Sequence, residues 1–341
     1  MLIGLWALVS FTGGNKYFVI NAEDVVFRVP QGFPEPVYDF HLNPTSPEAF
    51  LLGRKLFYDP ILSRDSTISC ASCHQRLFAF GHVDHRLSHG INGLIGTRNV
   101  PPLQNLAWNS SFMWDGGVNH IEMQPISPMT NAKEMDETLT HILAKLRASS
   151  HYPAEFAAAF HDTAITTERL LKSLAQFTGL MISCNSRYDK YLRGADTFSI
   201  TERNGLTLFR EKCAACHQEP LFTNNGFRNN GLRPDTALND SGRIRITGRE
   251  ADLYAFRVPG LRNAALTYPY MHDGRLRNLH NVLDHYGDPH NFAPGASPEM
   301  KRIGILTPAD KDALYAFLLT LTDKDFIYDR RFIDPFIDTV R

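Results

Sequence analysis

The stretch Cys70–Gly90, CASCHQRLFAFGHVDHRLSHG, brackets a dipeptide with two cysteines and follows them at once with His74. Three more histidines, His82, His85 and His89, arrive within the next fifteen residues. The unit recurs as CAACH at Cys213–His217, so four of the five cysteines belong to C-x-x-C-H units and only Cys184 stands apart. Thiols three residues apart on one helical turn share a face. They can form thioethers to the two vinyl groups on neighbouring pyrroles of a haem, and the next residue then places an imidazole under the iron. Cys70, Cys73 and His74 would hold one haem in this way, and Cys213, Cys216 and His217 a second. A redox-active C-x-x-C would want a thioredoxin-like βαβ context, which is not visible, and a zinc site needs four ligands in closed tetrahedral geometry.

The 341 residues leave room for two domains, and 43% hydrophobic content is enough for ordinary packed cores. A net charge of −1 gives no electrostatic case for binding nucleic acid or an anionic membrane. The opening run MLIGLWALVSF is shorter than the roughly 20 apolar residues a spanning helix requires and reads either as an irregular apolar start or as an atypical or trimmed export signal.

Compared with itself, the chain shows a duplication. VPPLQNLAWNSSFMWDG (Val100–Gly116) aligns without gaps on VPGLRNAALTYPYMHDG (Val258–Gly274), sharing V-P-x-L-x-N-x-A-x-x-x-x-x-M-x-D-G and pairing Trp114 with His272. A weaker echo, G-x-x-L-F, precedes each haem unit at Gly53–Phe57 and Gly205–Phe209. Two copies in the same order predict two homologous haem domains facing each other, not a solenoid. The expected fold is mostly α, with two cytochrome c-like domains and long loops around the haems. Its expected parts are a leader or extension over 1–40, an N-terminal haem domain over 41–194 and a C-terminal one over 195–341, with a linker at Gly194–Ser199. Apolar spacing predicts helices over Ala132–Ser149 and Thr166–Ile182, one capped by Thr201 before the second haem unit, and one over Thr307–Thr322.

Together, GRKLFYDPILSRDSTISCASCH, RNVPPLQN, FMWDG, QPISPM followed by EM, SRYDKYL, LFREKCAACH and LTYPYMHDG resemble the dihaem cytochrome c peroxidase/MauG family from about Pro47 to Thr322. The resemblance implies a peroxide-reactive N-terminal haem fed with electrons by the C-terminal one. It implies His74 as proximal ligand of the reactive haem, Glu134 as distal acid–base, Gln124 as distal glutamine and Trp114 between the haems. It also implies a calcium ion held at Asn99, Thr267 and Pro269, with His272 near the same interface. His89 falls where many members carry a ligand of the resting reactive haem that leaves on reduction of its partner; two extra residues before Arg98–Asn99 leave His82 and His85 as competitors. At the sixth position of the C-terminal haem, where the typical peroxidase has methionine, the gap-free count reaches Tyr286, as in MauG-type members. Met271 and His285 are the rival ligands.

The implied function is reduction of hydrogen peroxide to water with electrons from a cytochrome c or cupredoxin. The alternatives are MauG-like oxidation of a partner protein and a non-catalytic electron carrier or redox sensor. The resemblance also implies a periplasmic or otherwise extracytoplasmic site, and a homodimer is compatible with it. Covalent attachment is directly testable: protein made with export and haem-maturation machinery should keep its colour through acid–acetone extraction, with a mass raised by two haems. Release of haem on extraction would contradict the C-x-x-C-H reading.

Overall fold

The computed structural model describes residues 20–337 and builds each half around one pair of crossed helices. Pro47–Tyr58 packs on Thr167–Gly179, and Ile200–Lys212 packs on Pro308–Leu319. Local chemistry sets where these helices begin. Ser46 Oγ accepts from the Ala49 amide at 3.1 Å, ahead of Pro47 at the first helical position. Thr166 Oγ1 accepts from the Arg169 amide at 3.3 Å. Thr307 and Asp310 form a reciprocal capping box, again with proline at the first position.

Two expected helix starts move. The second haem helix is capped by Ser199, not Thr201, because Glu202 lies three residues on and completes a capping box with it. The helix expected from Ala132 runs only over Leu139–Ala148: Asp136 has a φ of +48° and Thr138 caps the helix through the His141 amide. Strand content is as scarce as the sequence suggests, with Phe227–Arg228 paired antiparallel to Phe256–Arg257 among the described residues.

The G-x-x-L-F echo marks where the helices cross. A Cβ on Gly53 would lie 1.9 Å from the Ser173 carbonyl oxygen, and one on Gly205 2.0 Å from that of Ala313. The phenylalanine of each echo packs beside the same crossing, Phe57 on Phe177 at 5.2 Å between ring centroids and Phe209 on Phe317 at 5.0 Å. Each crossing thus anchors its own apolar core.

The chain does not keep strictly to its own half. Phe326, Ile327 and Phe332 enter the first core, and Tyr188 enters the second. Hydrogen bonds fix the returning segment, among them Arg331 Nη1 to the Asp24 carbonyl at 2.6 Å, Tyr58 Oη to that of Phe332 at 2.6 Å, and Arg76 Nη1 to that of Ile327 at 2.5 Å. Within the expected extension over 1–40, Ile20, Val25 and Tyr38 are buried in the first core. The apolar run read as an export signal lies outside the described residues.

The duplicated segments adopt the same backbone. Asn105 and Asn263 have φ of +58° and +57°, and Met113 and Met271 of +65° and +74°. They also dock on one another reciprocally: the Asn99 amide donates to the His272 carbonyl, and the Arg257 amide to the Trp114 carbonyl, both at 2.7 Å. Because Asn99 aligns with Arg257 and Trp114 with His272, these are the same bond made once from each half. Alongside, Arg98 reaches Asp240 of the second half through two bonds of 2.6 and 2.9 Å, and Asp115 at 2.7 Å.

The crossings predict a sharp intolerance. Gly53→Ala and Gly205→Ala should each lower stability by about 1–3 kcal/mol through overpacking against backbone that cannot move aside. Denaturant titration of the haem-loaded protein would measure this; a loss of no more than about 0.3 kcal/mol would contradict the close approach.

Candidate active site

Each C-x-x-C-H unit opens onto its own largely apolar cavity. Cys70 and Cys73 begin and end a single helical turn (Cys70–Cys73), and Cys213 caps the C-terminus of Ile200–Lys212. The two histidines are prepared identically. His74 Nδ1 is 2.8 Å from the Phe80 carbonyl oxygen; His217 Nδ1 is 3.0 Å from that of Phe222 and 3.2 Å from that of Pro259. A carbonyl can only accept, so Nδ1 carries the proton in each ring and Nε2 presents a lone pair. Burial lowers both imidazoles, His74 to about 4, which keeps them neutral. A neutral ring, oriented by a carbonyl and open at Nε2, is what a metal-ligating histidine requires. Paired thiols and such a ring on an apolar cavity wall fit a covalent haem in each half. The two cysteine pairs face different cavities, so they cannot combine into one four-ligand zinc site.

The first cavity gathers Cys70, Cys73, His74, His89, Gln124 and Glu134. Glu134 sits in a turn, five residues before the helix that begins at Leu139, so a helix dipole does not account for it. Burial raises its carboxyl above the ordinary glutamate value, opposed by a 3.0 Å hydrogen bond from Asn131 Nδ2 to Oε1. Its backbone is locked to the histidine loop. The Ile91 amide donates to the Glu134 carbonyl at 2.8 Å, and a Cβ on Gly90 would lie 2.4 Å from Glu134 Cα. His89 Nδ1 donates to the Leu87 carbonyl at 2.9 Å, leaving Nε2 free. The His85 ring lies 4.1 Å from that of His89, tilted by 46°, and His82 lies 5.4 Å beyond, but neither lines the two haem cavities.

The second cavity holds Cys213, Cys216, His217, Met271 and Tyr286. Tyr286 is the last residue of Leu279–Tyr286. Burial pushes its phenol up to about 12, and a 3.3 Å hydrogen bond from Asn230 Nδ2 to Oη works the other way. The same amide lies 3.2 Å from Met271 Sδ, so Met271, one of the two rival ligands, shares the cavity with Tyr286. Met113 lines the first cavity. His285 turns elsewhere: its Nε2 donates to the Asn230 carbonyl at 3.0 Å, and it lines a separate outer groove.

Trp114 and Asn99 line both cavities. Trp114 Nε1 donates to the Asn99 carbonyl at 2.8 Å, which fixes the indole between the two C-x-x-C-H units. Asn99, Thr267 and Pro269 share the second cavity wall, and His272 stacks on Phe256 there at 3.7 Å between centroids. Sequence reasoning missed Asn230 and Arg257. Asn230 had no motif to flag it; Arg257 stood opposite Asn99 in the repeat, an unlike pair beside matching neighbours.

Comparison with known proteins agrees with this arrangement. Residues 47–197 match the model for di-haem cytochrome c peroxidase and residues 202–322 that for cytochrome c. The chain is 35% identical over 307 residues to the methylamine utilization protein MauG of Methylorubrum extorquens, covering 86% of this chain and 83% of that protein. It is 33% identical to the cytochrome c551 peroxidase of Nitrosomonas europaea over 82% of each. Among solved structures, a MauG-like protein associated with microbial copper homeostasis superposes with a TM-score of 0.81 at 32% identity, over 90% of this chain and 98% of that one. Two haem-ready cavities joined through one tryptophan thus coincide with relatives that share the whole length of the arrangement, and the chain belongs to the dihaem cytochrome c peroxidase family of haem c oxidoreductases.

Proposed function

We propose that the protein reduces hydrogen peroxide to water at the first cavity, with two electrons and two protons per peroxide, using electrons that enter through the second haem from a small redox protein. The observation that carries this reading is the convergence of Glu134 and Gln124 on the cavity of Cys70, Cys73 and His74. A pure electron carrier has no use for a half-buried carboxylate there. The haem iron, when bound, supplies the coordination position at which the peroxide bond is cleaved. Glu134 would accept a proton from one peroxide oxygen and return it to the other, which would leave as water. Gln124 would hold the other oxygen through its amide, and Trp114, which lines both cavities, lies between the two haems. His89, with Nε2 free, serves as the reversible ligand of the resting first haem.

The domains take their roles from this: 41–194 carries the peroxide chemistry and 195–341 receives electrons. Asn99, Thr267 and Pro269 hold a calcium ion at the interface, chiefly through oxygen atoms, which suits a hard cation. The site of action is periplasmic or otherwise extracytoplasmic. Among the described residues no helix is long and apolar enough to cross a membrane.

A second reading, oxidation of a partner protein by peroxide, is favoured by Tyr286 in the second cavity. A phenolate is hard and anionic, so it holds the oxidised state and lowers the potential relative to a thioether. That would leave the second haem poorly loaded by mild donors.

Two variants test these assignments. Glu134→Gln should keep both haem spectra and the thermal stability while peroxide turnover falls by on the order of 10²-fold or more. In the parent protein turnover should decline as pH falls through a value above 4.5, because the raised Glu134 carboxyl must be ionised to accept the first proton; the variant should lose that limb. Near-normal turnover in Glu134→Gln would remove the residue from catalysis.

Tyr286→Met should raise the second haem's potential and make turnover depend on prior reduction, and Tyr286→Phe should open that iron to added ligands. Unchanged low-spin signals and potential in both variants would transfer the ligand role to Met271.

A further inference from the structure

Three cationic side chains lie on the wall of the second cavity: Lys212, Arg228 and Arg257. Two of them have carboxylates. Lys212 Nζ is 3.4 Å from Glu211, and Arg228 Nε is 3.3 Å from Glu299. Arg257 is different. It is only 9% exposed and its Nε, like that of Arg228, is buried without a hydrogen-bond partner, but among the described residues its guanidinium also makes neither an ion pair nor a side-chain hydrogen bond. Burial alone lowers it, to about 10, with no neighbouring negative charge to hold it up. Arg98, partly buried at the same interface, is raised by Asp240 and Asp115 despite that burial.

A buried guanidinium without a counter-charge is strongly unfavourable, and natural structures pair such groups. Its backbone cannot move it away, because the Arg257 amide is held by the Trp114 carbonyl at 2.7 Å. The missing partner is therefore an anion that enters the cavity, and a planar five-donor fork suits a carboxylate. A haem brings two propionate carboxylates of its own. We propose that Arg257 is the counter-ion of a propionate of the C-terminal haem, binding that carboxylate within the interface between the two halves. The proposal rests on the second cavity holding a haem. Its place in the duplication gives it a further role. Position 257 corresponds to position 99, so one half turns a cation towards the interface and the other an amide. That difference makes the second haem's surroundings more positive than those of the first.

The consequence is electrostatic: a fixed cation at a propionate favours the reduced haem, whose charge is one unit less positive. The test uses the haem-loaded protein and the variants Arg257→Gln and Arg257→Lys. Haem content is read first by mass, which tests the cavity assignment separately from the role of Arg257. The second haem's midpoint potential and the propionate bands in redox-difference infrared spectra are then compared. In Arg257→Gln the potential should fall, or, where the orphaned propionate takes up a proton, a protonated-acid band should appear in place of the carboxylate band. Arg257→Lys should hold the potential nearer the parent value while shifting the carboxylate bands, since one ammonium replaces a fork. If both haems are present in Arg257→Gln and both readouts match the parent, the pairing is wrong. If that variant fails to accumulate, unchanged carboxylate bands in Arg257→Lys would overturn the proposal equally.

Discussion

Everything in the interface depends on one backbone hydrogen bond made twice, from Asn99 to His272 and from Arg257 to Trp114. It ties the residue before each Val-Pro to the position two residues before the glycine that closes the other copy of the repeat. Because the exchange is reciprocal, neither half can slide without lengthening both bonds. The two cavities are therefore fixed at a common wall, and the side chains of that wall, Trp114 and Asn99, belong to both. A bond of this kind contributes only about 0.5–1.5 kcal/mol net. Its importance is in register: it sets which atoms face each other, and the Arg98–Asp240 pair and the aromatic stacks fill in around it.

Much of the fold was legible because it is written in short-range chemistry. The caps at Thr166 and Thr307 and the scarcity of strands could be read from residue type and spacing. The duplication was legible as well, and the G-x-x-L-F echo turned out to be the helix crossing, where only glycine fits against a carbonyl. The misplaced starts have the same origin. Periodicity alone carried one helix back to Ala132, but Asp136 takes a left-handed conformation and Thr138 competes for the start. The choice of Thr201 over Ser199 overlooked the acidic residue three places on.

The site was legible where the chemistry needs fixed spacing and obscure where it needs only proximity. Cys70, Cys73 and His74 are adjacent in the chain, and so are Cys213, Cys216 and His217. The choice among His82, His85 and His89 depends on which ring turns into a cavity, and that depends on the loop held by Gly90 and Ile91 against Glu134. Likewise His285 and Tyr286 are neighbours in sequence but line different cavities, with Asn230 receiving the histidine on its carbonyl and reaching the tyrosine with its amide. No pattern in the sequence announces Asn230, since its role arises from contacts made across more than fifty residues.

The returning segment at Phe326–Phe332 bears on how the protein is made. The first core includes Phe326, Ile327 and Phe332, and the Asp24 and Tyr58 regions are held by hydrogen bonds to the same stretch. The N-terminal half therefore completes its packing only after the C-terminal half has been synthesised. An N-terminal half made without that segment would lack three apolar side chains of its own core, so the two halves cannot be separated as independent folding pieces at the linker alone.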